Sequence, residues 1–179
     1  MTRRGRRSGA SGGSRLASPP AAAKRTLILY LGNPIVRNDQ VGLIAGARLA
    51  RELAGRPGVE VRKFGGSPLD LVSHLDGYRR LILIDSIWTG TKAPATVVLY
   101  REQELLAQRG DAYPHGLNLP EAIRLARALE LPLPAEIALI GIETGPITRF
   151  GEGLDAELAD RLEETCAEVE RLVRELIAQ

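Results

Sequence analysis

Four consecutive apolar residues, Leu81-Ile82-Leu83-Ile84, stop at a carboxylate, Asp85. A strand that is apolar at every position has both faces covered, which places it in the middle of a parallel sheet with helices on either side. The rest of the chain after residue 25 repeats that logic, alternating short apolar runs with amphipathic segments. The fold expected is a three-layer α/β/α domain around a mostly parallel, twisted, five-stranded sheet in which one strand is antiparallel.

Thr26 to Leu31 reads as the first strand, and after the loop Gly32 to Asn38 a helix begins at Asp39. Its apolar positions Val41, Ile44, Ala45, Leu49 and Leu53 recur at three and four residues, so one face packs on the sheet. Gly55, Pro57 and Gly58 end it. The second strand runs from Val59 to Phe64, Gly65-Gly66 turn the chain, and Ser67-Pro68 cap and open a short helix that ends near Gly77. Strand three ends on Asp85. Strand four spans Thr96 to Tyr100; the ten residues from Ser86 to Ala95 that lead to it are too few for a parallel crossover, so it runs antiparallel to strand three. Helices near Glu102 to Arg109 and Pro120 to Leu129 flank the loop Gly110 to Leu117, and strand five is Glu136 to Ile142. A last helix from about Asp155 presents Leu158, Leu162, Cys166, Val169, Leu172, Val173 and Ile177 along one stripe. The only cysteine of the chain sits on that stripe, which makes it a buried structural thiol rather than a nucleophile, and a single cysteine fits a reducing, cytoplasmic compartment.

Charge is distributed unevenly. Residues 1 to 25 hold seven of the 24 basic side chains and no acidic one, leaving 17 basic against 22 acidic residues in the body, near −5. The basic balance therefore belongs to a tail, read as disordered, and argues against nucleic acid as a partner of the domain, which is taken as residues 26–179. No apolar stretch follows the arginine pairs as a secretory signal requires, and no run approaches the roughly 18 residues of a membrane span.

Chemistry is sought where open α/β sheets bind ligands, beyond the carboxyl ends of the strands at the point where strand order reverses. With an order beginning 2-1-3, that crevice lies between strands one and three. Asp39 follows strand one, Asp85 ends strand three, and the antiparallel strand and its returning helix bring the loop of His115 back to the same end. Two carboxylates and an imidazole can hold a divalent transition metal with positions left open, or can act without one, a carboxylate taking a proton from water. Asp39 has the alternative reading of a helix N-cap and Asp85 that of a turn cap. His74, on a short polar helix face, reads as a surface residue. Other chemistries fail on spacing. Gly32-Asn33-Pro34-Ile35-Val36-Arg37 lacks the glycines of a dinucleotide loop, Gly90-Thr91-Lys92-Ala93 lacks the hydroxyl of a phosphate loop, and the serine-hydrolase elbow and the zinc-protease helix are absent.

Four segments carry a resemblance: Leu31-Gly32-Asn33-Pro34 through Asn38-Asp39-Gln40-Val41-Gly42, Leu81 to Asp85, Pro114-His115-Gly116-Leu117-Asn118-Leu119, and Gly141-Ile142-Glu143. In this order they resemble the nickel-iron hydrogenase maturation endopeptidases over about residues 26 to 175. The resemblance implies a metal-dependent, aspartic-type endopeptidase that removes the C-terminal extension of a [NiFe] hydrogenase large subunit precursor once nickel is inserted. It implies Asp39, Asp85 and His115 as the catalytic and metal-contacting residues. Nickel is then recognised on the substrate, nickel, zinc or cadmium can occupy the site in isolation, and no organic cofactor is needed. Gly32, Asn33, Asn38, Gly65, Gly66, Trp88 and Glu143 are expected around the trio as substrate-binding or supporting residues. Asn38 and Gln40 depart from the family, which often has an acidic residue before the ligand carboxylate and glycine after it; Asn38 thereby removes a charge from the crevice. A monomer with no membrane or nucleic-acid partner is expected. The alternative is a non-catalytic nickel-sensing checkpoint binding the same precursor. A flavodoxin-like nucleotide binder is disfavoured by the missing phosphate-cradling loop.

Overall fold

The computed structural model describes residues 26–107 and 119–179. The basic tail, the loop Gly110 to Leu117 and His115 lie outside the described residues. Five strands, β1 (Thr26–Tyr30), β2 (Val59–Lys63), β3 (Arg80–Ile87), β4 (Val97–Arg101) and β5 (Glu136–Glu143), form one sheet in the order β2-β1-β3-β5-β4. The first four in that order are mutually parallel and β4 pairs antiparallel with β5, so the expected architecture holds. The order reverses between β1 and β3, and that gap is where the crevice was expected.

Six helices cover the sheet among the described residues: α1 (Gln40–Glu52), α2 (Pro68–Val72), α3 (Glu102–Ala107), α4 (Leu119–Ala128), α5 (Ala156–Asp160) and α6 (Leu162–Ala178). Period-two alternation divides β3 between two cores. Ile82 and Ile84 join Val41, Ala45, Leu49, Cys166, Val169 and Val173 on the α1/α6 face. Leu81, Leu83 and Ile87 join Leu71, Leu105 and Ile123 on the α2/α3/α4 face. Cys166 is buried on its stripe, and burial pushes its thiol up from the ordinary range.

Most boundaries shift by a single residue; three larger differences from the sequence reading each have a local reason. Strand β3 runs past Asp85 to Ile87 because its pairing with β5 continues through Ser86↔Ile142 and Ile87↔Glu143. Helix α2 stops at Val72 rather than near Gly77; single turns at Ser73, His74 and Leu75 carry the chain on, bonding back to Asp70, Leu71 and Val72. The last helix is two helices, broken at Arg161, whose backbone leaves helical values (φ −102°, ψ 8°).

Candidate active site

Asp39 stands at the N-cap position of α1, but its backbone is already helical (φ −64°, ψ −15°) and its side chain caps nothing. The carboxylate turns to the sheet instead. One oxygen accepts the backbone N–H of Asn33 at 2.8 Å and the other accepts the hydroxyl of Ser86. The capping reading of Asp39 therefore gives way to a carboxylate held over the end of β3.

Asp85 is half-buried, and its Oδ1 accepts the N–H of Ser86 at 2.9 Å. Burial, reinforced by the charge of Asp39, pushes its carboxyl up to about 8, with the Ser86 N–H pulling partly the other way. The two acids are thus close enough to feel each other, and near neutral pH Asp85 keeps its proton beside Asp39. By strand alternation Ser86 faces α1 while Asp85 faces the α2/α3/α4 side, so the two carboxylates approach the crevice from opposite faces of one strand.

Glycines make the approach possible. A Cβ at Gly42 would stand 2.5 Å from the Leu31 carbonyl oxygen and 3.2 Å from the Asp85 Cα, so α1 lies directly against β3 at the site. Gly32, at φ +141°, would clash with the Asp39 carbonyl oxygen if it carried a side chain.

The supporting residues fall into two groups. Glu143 is fully buried at the end of β5, where it accepts the N–H of Thr89 at 2.7 Å, the N–H of Gly90 at 3.1 Å and the Thr89 hydroxyl at 2.7 Å. It fixes the loop that follows β3, on which Trp88 stands 42% exposed. Asn33 contributes its backbone to Asp39. Gly65 and Gly66 lie at the end of β2, one strand further out; Gly65 has open space where a Cβ would be, and a Cβ at Gly66 would approach the Phe64 ring at 2.8 Å. Asn38 does not face the acids: its amide is turned to Asp155. Gln40 likewise donates to the carbonyl of Gly151 at 3.2 Å. His74 bonds locally, its Nδ1 2.8 Å from the Asp70 carbonyl oxygen.

His115 is outside the described residues, but the elements that flank its segment are not. Because β4 is antiparallel it ends beside the start of β5, at the opposite end of the sheet from Asp85, and α3 and α4 then lie between it and β5 in the chain. Ala107 and Leu119 end and begin helices on the Asp85 face. Among the described residues no group of three His, Cys, Asp or Glu side chains could hold a metal ion. The described part of the site offers two carboxylates.

Ser86 and Asp155 were missed as site residues by the sequence reading, and Gly42 entered it only as part of a resembling segment. Ser86 follows Asp85 directly, and a hydroxyl on the helix-facing side of a buried strand end was the available signal. Gly42 sits inside an amphipathic helix where alanine is favoured, which points to a close approach. Asp155 was seen only as a helix start.

The family model for HycI, hydrogenase maturation protease, matches residues 45–172, well over half of the chain. The chain belongs to the hydrogenase maturation protease family. It is accordingly a hydrolase, an endopeptidase. The match spans Asp85 and begins after Asp39. Hydrogenase 2 maturation protease of Escherichia coli (strain K12) is 24% identical over 119 residues, which cover 66% of this chain and 72% of that protein. Among solved structures, the hydrogenase maturating endopeptidase HybD from E. coli superposes with a TM-score of 0.69 at 22% identity, covering 84% of this chain and 93% of that one. The [NiFe] hydrogenase maturation protease HybD from Thermococcus kodakarensis gives 0.63 at 30% identity, covering 83% and 98%.

Proposed function

We propose that this family member removes the C-terminal extension of a nickel-loaded [NiFe] hydrogenase large subunit precursor, with Asp39, Asp85 and His115 as its catalytic residues. The observation that carries the reading is the placement of both carboxylates at the strand-order reversal, Asp39 on the hydroxyl of Ser86 and Asp85 on the backbone N–H of the same residue. Nickel belongs to the substrate in this reading. It arrives with the precursor and meets the two acids and the imidazole, and its charge would displace the proton that Asp85 otherwise keeps. Asp39, with one oxygen on the Ser86 hydroxyl and the other on the Asn33 amide, is oriented to take a proton from the attacking water. The same donors, hard oxygens with an imidazole, suit nickel, zinc or cadmium when the site is loaded in isolation.

A folded partner also fits the rim. Ile35 is 61% exposed, Phe150 83% and Trp88 42%, all on loops at the carboxyl end of the sheet. Apolar side chains left in water around a cleft are characteristic of a protein-docking surface. Among the described residues no helix is long and apolar enough to cross a membrane. We place the activity in the cytoplasm, carried by a monomer. Asn38 and Gln40, the two departures beside Asp39, bond the loop before α5 and leave Asp39 its own partners, which favours cleavage over a non-catalytic checkpoint.

The test is intact mass spectrometry of the precursor, nickel-loaded and nickel-free, after incubation with the wild type and with Asp39→Ala. The expected result is a C-terminal loss with nickel and the wild type only. Equal loss without nickel, or with Asp39→Ala, would overturn the reading; complex formation without any cleavage would favour the checkpoint.

A further inference from the structure

Strands β1 and β5 are not neighbours, since β3 lies between them, yet the loops that leave their carboxyl ends are stitched together. Val36 and Phe150 form an antiparallel bridge. The Arg37 N–H donates to the Arg149 carbonyl at 2.8 Å and the Gly151 N–H to the Ile35 carbonyl at 3.0 Å. At the end of this seam Asn38 is buried, with a left-handed backbone (φ +69°) that asparagine tolerates better than most side-chain-bearing residues. Its side chain is held by Asp155. The Asn38 amide oxygen accepts the Asp155 N–H at 2.8 Å, and the Asn38 amide nitrogen donates to Asp155 Oδ2 at 2.8 Å. The second oxygen of Asp155 lies 2.8 Å from Arg37 Nε.

The residue that follows is Asp39. Because Asn38 must donate and accept at once, an aspartate in its place could keep only one of the two bonds and would set a second carboxylate against Asp155. Asparagine here is thus required by its partner. The left-handed turn at Asn38 also fixes the peptide plane from which Asp39 departs, and Asp39 has no capping bond of its own to orient it.

We infer that the Asn38–Asp155 clamp is the positioning element of the cleavage site, locking the β1 and β5 loops so that the Asp39 carboxylate meets Asn33 and Ser86. This rests on the reading of Asp39 as a catalytic residue. Neither clamp residue touches the reacting atoms; both act through Asp39.

The test compares Asn38→Asp, Asn38→Gly and the reciprocal double variant Asn38→Asp/Asp155→Asn with the wild type in the full chain. Two readouts are taken: kcat and KM for cleavage of the nickel-loaded precursor, and hydrogen exchange of the Asn33 amide, whose acceptor is Asp39. Asn38→Asp should lower kcat at least tenfold, change KM less than threefold and speed Asn33 exchange by a similar factor. Asn38→Gly keeps the backbone turn without strain and lacks the clamp, so it should show the same loss even if Asn38→Asp does not fold. In the double variant the exchanged partners restore the pair: the carboxylate now at position 38 accepts both the backbone N–H and the side-chain amide of position 155. There kcat and protection should return to within threefold of wild type. Wild-type kcat and protection in Asn38→Gly, or no recovery in the double variant, would overturn the clamp. If the wild type leaves the precursor uncut, the functional reading falls, and Asn33 exchange in Asn38→Gly and the double variant still decides whether the clamp holds Asp39.

Discussion

Replacing Asp85 by asparagine should stabilise the protein at neutral pH, although it removes an acid from the proposed site. The carboxyl of Asp85 is raised to about 8, first by burial and then by the charge of Asp39. An unfolded chain releases the same proton at about pH 3.9. Between about pH 4 and pH 8 the folded state therefore binds more protons than the unfolded state, so stability is full below about pH 4 and falls as pH rises through that window. At ~1.4 kcal/mol per pH unit, the cost accumulated by pH 7 is at most about 4 kcal/mol. Asparagine has the same shape, keeps an oxygen for the Ser86 N–H and cannot ionise. Urea unfolding of wild type and Asp85→Asn at each unit from pH 4 to pH 8 reads the difference directly, and titrations of groups that do not interact with Asp85 cancel in it. The gap should be near zero at pH 4 and widen steadily in favour of the variant. A gap that does not change with pH, or a variant less stable than wild type at pH 7, would refute the argument that Asp85 is buried against Asp39.

Further outcomes are expected elsewhere. Asp39→Asn removes the like charge beside Asp85, so the Asp85 carboxyl should titrate lower, measurable as a shift of its 13C resonance with pH. Glu143→Ala leaves two backbone N–H groups and the Thr89 hydroxyl without their acceptor, and should cost about 2–4 kcal/mol in urea unfolding. Gly42→Ala forces a Cβ to within 2.5 Å of the Leu31 carbonyl and should destabilise by about 1–3 kcal/mol, with a loss of cleavage if α1 is displaced from Asp85. Alkylation with iodoacetamide under native conditions should leave Cys166 unmodified and cleavage intact, because the thiol is buried in the α1/α6 core and burial pushes its titration upward.

The sheet was legible because its signals are local. The uninterrupted apolar run of β3 and the ten-residue link to β4 are enough to predict a buried parallel strand followed by an antiparallel one, and the register with β1 and β5 agrees. The ends of elements were less legible because tertiary pairing sets them: β3 outlasts Asp85 only because β5 has residues left to pair with it. Of the site, Asp39 and Asp85 could be found from their places at strand ends. Asp155 could not, since its role depends on a partner 117 residues away and on a left-handed turn at Asn38 that no periodicity announces. Asparagine at 38 looked like a lost charge in the crevice; beside Asp155 it is the residue that satisfies a donor and an acceptor together.

Strand alternation gives the site its division of labour. Position 86 points toward α1, and there the Ser86 hydroxyl meets Asp39, which α1 delivers. Position 85 points the other way, toward the layer built from α2, α3 and α4. The N-terminal side of the crevice is thus held by the clamped loops of β1 and β5, whereas Asp85 looks toward the helices whose ends, Ala107 and Leu119, flank the segment of His115. A shift of β3 by one residue would exchange the two faces, separating Asp39 from its hydroxyl and turning the acid at 85 into the α1 core. The register Asp85↔Gly141 prevents it: Ile87 Cδ1 would stand 2.5 Å from any Cβ at position 141, so the glycine there admits Ile87 and fixes which face each residue takes. Gly141→Ala should accordingly disturb the site through β3 rather than through any contact with substrate, lowering stability by about 1–3 kcal/mol. Asp85 should then lose part of its raised titration, and an unchanged Asp85 titration in a destabilised Gly141→Ala protein would show that the pairing of β3 with β5 does not set the acid's position.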